Sequence, residues 1–239
     1  MSTVATSIDD QEIANFSKDA AHWWDIDGPF APLHRLNPTR IGYIKQQILQ
    51  HYKCNSLKGI SVLDVGCGGG LVCEPMARLG AVVTGADADP VAINVARDHA
   101  GSLDISYLNE PAEAIQQQFD VVLALEIIEH VPSPEAFVAE IARLVKPGGL
   151  VIFSTLNRTA KSFALGIVAA EYILRWVPAG THNWKKFIKP SELSRMARAS
   201  DLSPQDVTGI HYNPITTDFS LSPTQVKVNY LLSAIKPKD

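Results

Sequence analysis

The stretch Val62-Leu63-Asp64-Val65-Gly66-Cys67-Gly68-Gly69-Gly70 decides the fold. A short apolar strand ends in an acid, runs into a glycine-rich turn, and gives way to a helical pattern over residues 71–79 that Gly80 stops. Glycine lets the backbone bend sharply there and leaves no Cβ in the way of a ligand. Strand, turn and helix in this order begin a βαβ unit, whose ligand sits at the carboxyl end of the strand.

Outward from this turn the same rhythm repeats. Residues 81–87 read as a second strand, 90–100 as a helix with proline near its start, and 105–108 as a third strand. The run 119–125 (FDVVLAL) is apolar but for Asp120, as befits a central strand covered on both faces. An amphipathic helix over 134–145 closes at Lys146-Pro147-Gly148-Gly149, and a fifth strand follows at 150–156. Strict alternation implies right-handed crossovers and a parallel sheet. The rhythm then fails across an insertion at about 159–189 and resumes with a helix near 189–200. Strands near 206–211 and 227–235 are expected to pair antiparallel at the sheet edge. The predicted fold is therefore α/β and Rossmann-like, with a mostly parallel seven-stranded sheet, an antiparallel edge strand and helices on both faces. Upstream, residues 1–10 read as a disordered terminus, and helical patterns over 10–51 are broken at Asp27-Gly28-Pro29, Pro32 and Pro38. This divides the chain into an N-terminal helical cap, 1–55, and a main domain, 56–239.

The turn discriminates among ligands. A dinucleotide fingerprint needs a third glycine at position 71, which is Leu71. Asp64 would repel a pyrophosphate but suits a cationic amino-acid end, such as the methionine moiety of S-adenosylmethionine. Asp87 closes the second strand about twenty residues after Gly66, the spacing at which an acid accepts from ribose hydroxyls. A tight turn with two capping acids is the plain alternative. Two acids at consecutive strand ends, both flanking one loop, favour the cofactor. Cofactor binding is thus expected at Asp64, Gly66, Gly68 and Asp87. A nicotinamide-dependent oxidoreductase is the rival that Asp64 and Leu71 oppose.

Composition fits an ordinary globular domain, with 46% hydrophobic and 19% charged residues in a 239-residue chain. A net charge of -4 argues against a protein held to nucleic acid by phosphate contacts. Three cysteines, Cys54, Cys67 and Cys73, without metal-type spacing suit a reducing cytoplasm. No basic-then-apolar leader opens the sequence, and no apolar stretch is long enough to span a bilayer.

The segments DVGCGGG (64–70), GAD (85–87), LEIIEHVPSP (125–134) and LVKPGG (144–149) resemble class I S-adenosylmethionine-dependent methyltransferases. More specifically, HWWDIDGPFAPLHRLNPTRIGYI (22–44), STLNRTAKSF (154–163), AAEYILRWVPAGTHNWKKFIKP (169–190) and GIHYNPIT (209–216) resemble the ubiquinone biosynthesis O-methyltransferase family. The resemblance implies S-adenosylmethionine as donor, met by Arg40, Gly66, Asp87 and Leu125. An arginine there suits the methionine carboxylate, which a planar guanidinium binds bidentately. The implied substrate is a polyprenylated catechol or hydroquinol, methylated on oxygen at both steps of the pathway. The resemblance further implies a cytoplasmic protein peripherally associated with the inner membrane. Its partners would be membrane lipid and other ubiquinone-biosynthesis enzymes, with no nucleic acid.

Methyl transfer from a sulfonium is an in-line displacement, and a phenol with a pKa near 10 must lose its proton on the way. Glu126, Glu129 and His130 follow the fourth strand at spacings of three and four, so they converge on one side of a helical turn. Glu126 and His130 are the candidate catalytic residues. From the residues alone, a cation site and simple packing stand equal. The resemblance favours a divalent cation such as Mg²⁺ on Glu126, Glu129 and His130. His22, His182 and His211 are further bases that no pattern selects, and residues 109–113 leave the adenine partner open. The insertion mixes Phe163, Leu165, Ile167, Val168, Ile173, Leu174, Trp176 and Trp184 with Lys185, Lys186 and Lys189. That pattern suits either a lid or a membrane-contact surface.

Overall fold

The computed structural model describes residues 8–163, 184–213 and 215–238. The middle of the insertion, from Leu165 through Trp176 to His182, lies outside the described residues, as do residues 1–7.

The first five strands alternate with helices as the sequence predicts: β1 (Ser61–Val65), β2 (Val82–Ala86), β3 (Ile105–Leu108), β4 (Phe119–Leu125) and β5 (Val145–Leu156). Before and between them lie α1 (Asp10–Ser17), α2 (Ala31–Tyr52), α3 (Cys73–Arg78), α4 (Pro90–Ala100) and α5 (Pro134–Leu144). After β5 come a single turn α6 (Ala160–Ser162), then α7 (Pro190–Ala199), β6 (Ser203–Tyr212), β7 (Phe219–Ser222) and β8 (Asn229–Ile235). Local chemistry sets the helix starts. Asp89 and Ser133 accept from the first-turn N–H groups of α4 and α5, and each is followed by a proline that needs no intrahelical partner.

The strands form one sheet in the order β3-β2-β1-β4-β5-β8-β6-β7. From β3 to β5 all pairs are parallel, and the order reverses between β1 and β4, where such sheets open a crevice for ligand. Eight strands are present where seven were expected. The antiparallel strand β8 lies inside the sheet, between β5 and β6, and the outermost strand is β7, paired antiparallel to β6. Phe219-Ser220-Leu221-Ser222 alternates apolar and polar residues, but four residues are too few to declare a strand alone, and pairing with β6 holds it. Likewise Lys146-Pro147-Gly148-Gly149, expected to close a helix, opens β5: Val145 pairs with Phe119 and regular pairing resumes at Leu150 with Val121. That irregular start is a β-bulge that absorbs the proline and glycines.

The pleat of β4 explains its continuous apolar run. Val122 and Ala124 face a layer containing Phe137, Val138 and Ile141 of α5 and Leu193 of α7. Val121, Leu123 and Leu125 face Ile44 and Ile48 of α2, Met76 of α3 and Ile93 of α4. The long helix of the N-terminal region is thus part of one main layer. Among the described residues no helix is long and apolar enough to cross a membrane.

Candidate active site

Asp64 sits in β1, one residue before the glycine turn, and is buried. The N–H groups of Gly66 and Cys67 both donate to the Ala86 carbonyl, at 2.8 and 3.1 Å, which ties the turn to the end of β2. Gly66 and Gly68 have φ of 73° and 51°, left-handed values that other residues adopt only with strain. A Cβ on Gly66 would lie 2.3 Å from Ile127 Cδ1, one on Gly68 2.3 Å from Trp23 Cζ2, and one on Gly70 2.3 Å from Tyr107 Oη. The space that the sequence suggests is kept for a ligand is, in these directions, filled by protein side chains. The turn is shaped by its neighbours before any cofactor arrives.

Asp87 follows β2 and organises the same turn. Its Oδ2 accepts from Gly68 N–H at 2.8 Å and its Oδ1 from Asp89 N–H at 2.9 Å. Burial raises its pKa despite those two backbone bonds. Asn109 donates to the Asp87 carbonyl at 3.0 Å, which places the 109–113 segment beside it. Asp64 is pushed up to about 7 by burial, opposed by the Cys73 thiol and the charge of Arg40 and assisted by the charge of Asp87. Arg40 is 3% exposed. Its Nη2 donates to Asn37 Oδ1 at 3.2 Å, and Asn37 in turn donates to the Leu71 carbonyl at 2.6 Å. Burial lowers the Arg40 pKa, while the carboxylates of Glu126 and Asp64 raise it. Arg40 therefore lies electrostatically between the glycine turn and the turn after β4. Leu125, the last residue of β4, is buried in the same cluster as Cys67 and Val72.

In the second turn, Glu126 has a φ of 52°, a strained value of order 1–3 kcal/mol for a residue with a Cβ. Its neighbours hold it there. Its N–H donates to the Ser154 carbonyl at 2.9 Å, and its carboxylate accepts from Ser154 Oγ at 2.6 Å and Asn229 Nδ2 at 3.1 Å. Glu129 is buried and accepts from Thr155 Oγ1 at 2.8 Å. Burial, and then the charge of Glu126, push its pKa up to about 7. His130 turns outward, with Nδ1 3.2 Å from Glu12 Oε2 and its ring edge-on to Phe16 at 5.1 Å. Burial pulls the His130 pKa down, but Glu12 and Glu129 outweigh it and the net shift is upward. Lys186 Nζ donates to the other Glu12 oxygen at 2.8 Å. The bond from His130 is the largest cause holding Glu12 down at about 2.

Each of the three proposed cation ligands thus has a protein partner in a different direction. Among the described residues no group of three or more His, Cys, Asp or Glu is arranged to hold a metal ion. Glu126, Glu129 and His130 as placed do not fit a three-donor site. His22 and His211 are exposed, and His211 pairs across to Ser220 in the β6–β7 hairpin. The sequence reading missed Ser154, Asn229, Glu12, Lys186 and Trp23. Ser154, a hydroxyl at 0% exposure that follows the apolar run Leu150 to Phe153, carries a visible signal, since a buried polar group needs a partner. The others are far from the turns they touch and carry none.

Comparison with known proteins agrees with this architecture. Residues 39–207 match the family model described as a methyltransferase domain. Two curated relatives carry the name ubiquinone biosynthesis O-methyltransferase. The protein from Dinoroseobacter shibae is 47% identical, across 99% of this chain and 100% of its own. That from Maricaulis maris is 48% identical, across 97% and 94%. Among solved structures, magnesium protoporphyrin IX methyltransferase from Synechocystis with bound SAH superposes with a TM-score of 0.69 at 16% identity, covering 95% of this chain and 100% of that one. A possible histamine N-methyltransferase from Thermotoga maritima gives 0.65 at 16%, covering 95% and 98%. At those identities the structures speak to the fold alone.

Proposed function

This chain belongs to the ubiquinone biosynthesis O-methyltransferase family, and from that premise we propose that it methylates phenolic oxygens of polyprenylated catechol or hydroquinol intermediates, at both O-methylation steps. The enzyme is an S-adenosylmethionine-dependent O-methyltransferase. One observation carries the assignment of its site. Asp64, Asp87 and Glu126 stand at the carboxyl ends of three adjacent strands, β1, β2 and β4, around the topological switch point.

The residues fit the donor. S-adenosylmethionine supplies a methyl group on a sulfonium, which a phenolate oxygen displaces in line. Arg40 offers a buried guanidinium whose Nε has no protein partner, suited to a carboxylate. Asp64, with a pKa near 7, takes up negative charge readily when a cation comes close. Asp87 already fixes Gly68 through Oδ2, and it presents its carboxylate at the position from which ribose hydroxyls are accepted. Gly66, Gly68 and Leu125 complete the wall.

For the acceptor, Glu126 is the better positioned of the two catalytic candidates. Two side-chain donors and a strained backbone fix its carboxylate, so it is positioned before substrate binds. His130 has a raised pKa and bonds Glu12 through Nδ1, and its role is to join the N-terminal helix to the site. No step is assigned to a divalent cation. In this reading the N-terminal helical cap, 1–55, brings Arg40 and Glu12 to the main domain, 56–239, against which α2 packs. A polyprenyl tail is a reason for the protein to work at the cytoplasmic face of the inner membrane, alongside other enzymes of the pathway. Exposed Phe163 and Trp184, in edge contact with ring centroids 6.3 Å apart, belong to the insertion that would meet lipid.

The test is incubation with isotopically labelled donor and short-chain analogues, one a catechol and one already methylated on one oxygen, with the product mapped by mass spectrometry. Label on oxygen in both products is expected. Label on ring carbon, or none, would overturn the reading. Flotation with anionic liposomes checks the membrane part separately.

A further inference from the structure

Six buried side-chain polar atoms among the described residues lack a hydrogen-bond partner, and two of them are N–H donors: Trp23 Nε1 and Arg40 Nε. A buried donor without an acceptor is costly, so each calls for an explanation. Both reach the glycine turn from the same N-terminal segment. Arg40 is tied to it through Asn37 and the Leu71 carbonyl. Trp23 lies directly on it: a Cβ on Gly68 would be 2.9 Å from Trp23 Cε2, the atom bonded to Nε1, and one on Gly69 would be 2.5 Å from Trp23 Cγ.

The indole is held in place on several sides. Its ring stacks on Phe30 at 3.8 Å with planes 5° apart. Its own carbonyl accepts from His34 Nε2 at 2.8 Å. The next residue, Trp24, donates Nε1 to the Gly69 carbonyl at 2.9 Å and stacks on His99 at 3.5 Å. Residues 22–30 are thus a strap pinned across the glycine turn at Trp24 and stiffened by Phe30. The same turn carries two carboxylates: Asp87 accepts from Gly68 N–H, and Asp64 lies close enough for Arg40 to feel its charge. Acids and unpaired N–H donors gathered at one turn suit a ligand end that carries both an ammonium and a carboxylate.

We propose that Trp23 Nε1 and Arg40 Nε jointly bind the carboxylate of the donor's methionyl end, which makes Trp23 a cofactor-binding residue and the strap the device that positions it. The proposal rests on the reading of Asp64 and the glycine turn as the S-adenosylmethionine site. It gives the glycines at 68 and 69 a second reason to be glycine, since any side chain there would displace the indole. It also sets specificity, because the strap favours a donor that retains its amino-acid carboxylate.

Trp23→Phe keeps an aromatic ring against Phe30 and the turn while deleting the N–H. Calorimetry is run on wild type and this variant with S-adenosylhomocysteine and with its decarboxylated analogue. The expected result is a loss of about tenfold in S-adenosylhomocysteine affinity on substitution, with the decarboxylated analogue bound equally by both proteins. Equal affinity of both proteins for S-adenosylhomocysteine, or an equal loss for both ligands, would overturn the proposal and leave the cofactor site standing. Failure of wild type to bind S-adenosylhomocysteine at all would remove the underlying reading as well. A second measurement needs no variant to fold. In the ¹⁵N spectrum of wild type, the Trp23 indole N–H resonance should move downfield with S-adenosylhomocysteine and stay near its free position with the decarboxylated analogue. An indole resonance that responds identically to both ligands would count against a bond to the carboxylate.

Discussion

The glycine turn after β1 and the Glu126 turn after β4 stand side by side at the ends of neighbouring strands, yet they are assembled from different kinds of sequence. In the first, Asp64, Gly66, Gly68 and Asp87 come from one βαβ unit, and the bonds that fix them join residues a single strand–helix–strand step apart. In the second, the local segment supplies only Glu126, Glu129 and His130. Their partners are Ser154 and Thr155 on β5, Asn229 on β8 and Glu12 on α1, and Glu12 in turn meets Lys186 near the end of the insertion. The proposed donor half thus has a locally built frame, to which the N-terminal segment adds Trp23, Trp24, Asn37 and Arg40. An acceptor half made by distant elements can change its substrate when those elements change, leaving the donor site intact.

The sharpest way to break this division is Glu126→Gln. If the two halves are separate, turnover falls by about 10²-fold, the usual scale for a lost acid–base group, while S-adenosylhomocysteine affinity stays within about threefold. Single-turnover kinetics with calorimetry in parallel reads both. A matching collapse in donor affinity would mean that Arg40, which feels both Glu126 and Asp64, couples the halves into one site. The same assay after exhaustive chelation addresses the cation that the family resemblance implies. Donor binding is expected to be unchanged, because Arg40, Asp64 and Asp87 lie in the other half. Turnover that falls in chelator and returns with Mg²⁺, but not in His130→Ala, would show the second turn rearranging from the paired geometry described above.

Next in size is Asp87→Ala. It removes the proposed ribose acceptor and also the carboxylate that fixes Gly68. Donor affinity should fall by about 1–3 kcal/mol, the range for hydrogen bonds to a charged group, with the far-ultraviolet circular dichroism retained. Unchanged affinity would take Asp87 out of the donor half.

A smaller effect follows from Asp64. Its pKa near 7 in the free protein means that it is mostly protonated at pH 6. As a carboxyl raised above its ordinary value, it makes the folded state less favourable as pH rises from about 4 to 7, with no further change above that. Binding an ammonium beside it favours the charged form, so affinity for S-adenosylhomocysteine should rise several-fold from pH 6 to about 7.5 and then level off. Calorimetry in buffers of different ionisation heat should detect proton release below pH 7. A pH-independent affinity in wild type would contradict this, and Asp64→Asn should abolish the dependence.

The contrast between the two halves also explains what the sequence discloses. Strands β3 and β4 and helix α4 are legible to the residue, because an apolar run or a capped amphipathic helix declares itself locally. The glycine turn and its two acids are legible for the same reason. Strand β7 is not, because its order comes from β6, and the bulged start of β5 hides behind a Pro-Gly-Gly that reads as a helix stop. Glu12 is a glutamate in a short amphipathic helix like any other. Nothing near it announces a histidine more than a hundred residues away.

That distant contact gives the smallest expected effect. Glu12 bridges His130 and Lys186, so one carboxylate ties α1 to the Glu126 turn and to the end of the insertion. Its side chain is 24% exposed and that of Lys186 is 37% exposed, so screening limits the Lys186 part to under about 1 kcal/mol. Glu12→Gln keeps the shape and removes the charge. Global melting should move by no more than a few degrees, since the core clusters do not involve Glu12. Local opening of α1 should become several-fold more frequent, because the helix is eight residues long and an isolated helix of that length is marginal in water. Hydrogen exchange of amides 13–17 resolves this, and S-adenosylhomocysteine affinity should not change. Wild-type protection in the variant would mean that Phe16 packing against His130 holds the helix without the charge. Loss of donor binding together with α1 would mean that the N-terminal region serves both halves as one closing element, and the separation between them would have to be given up.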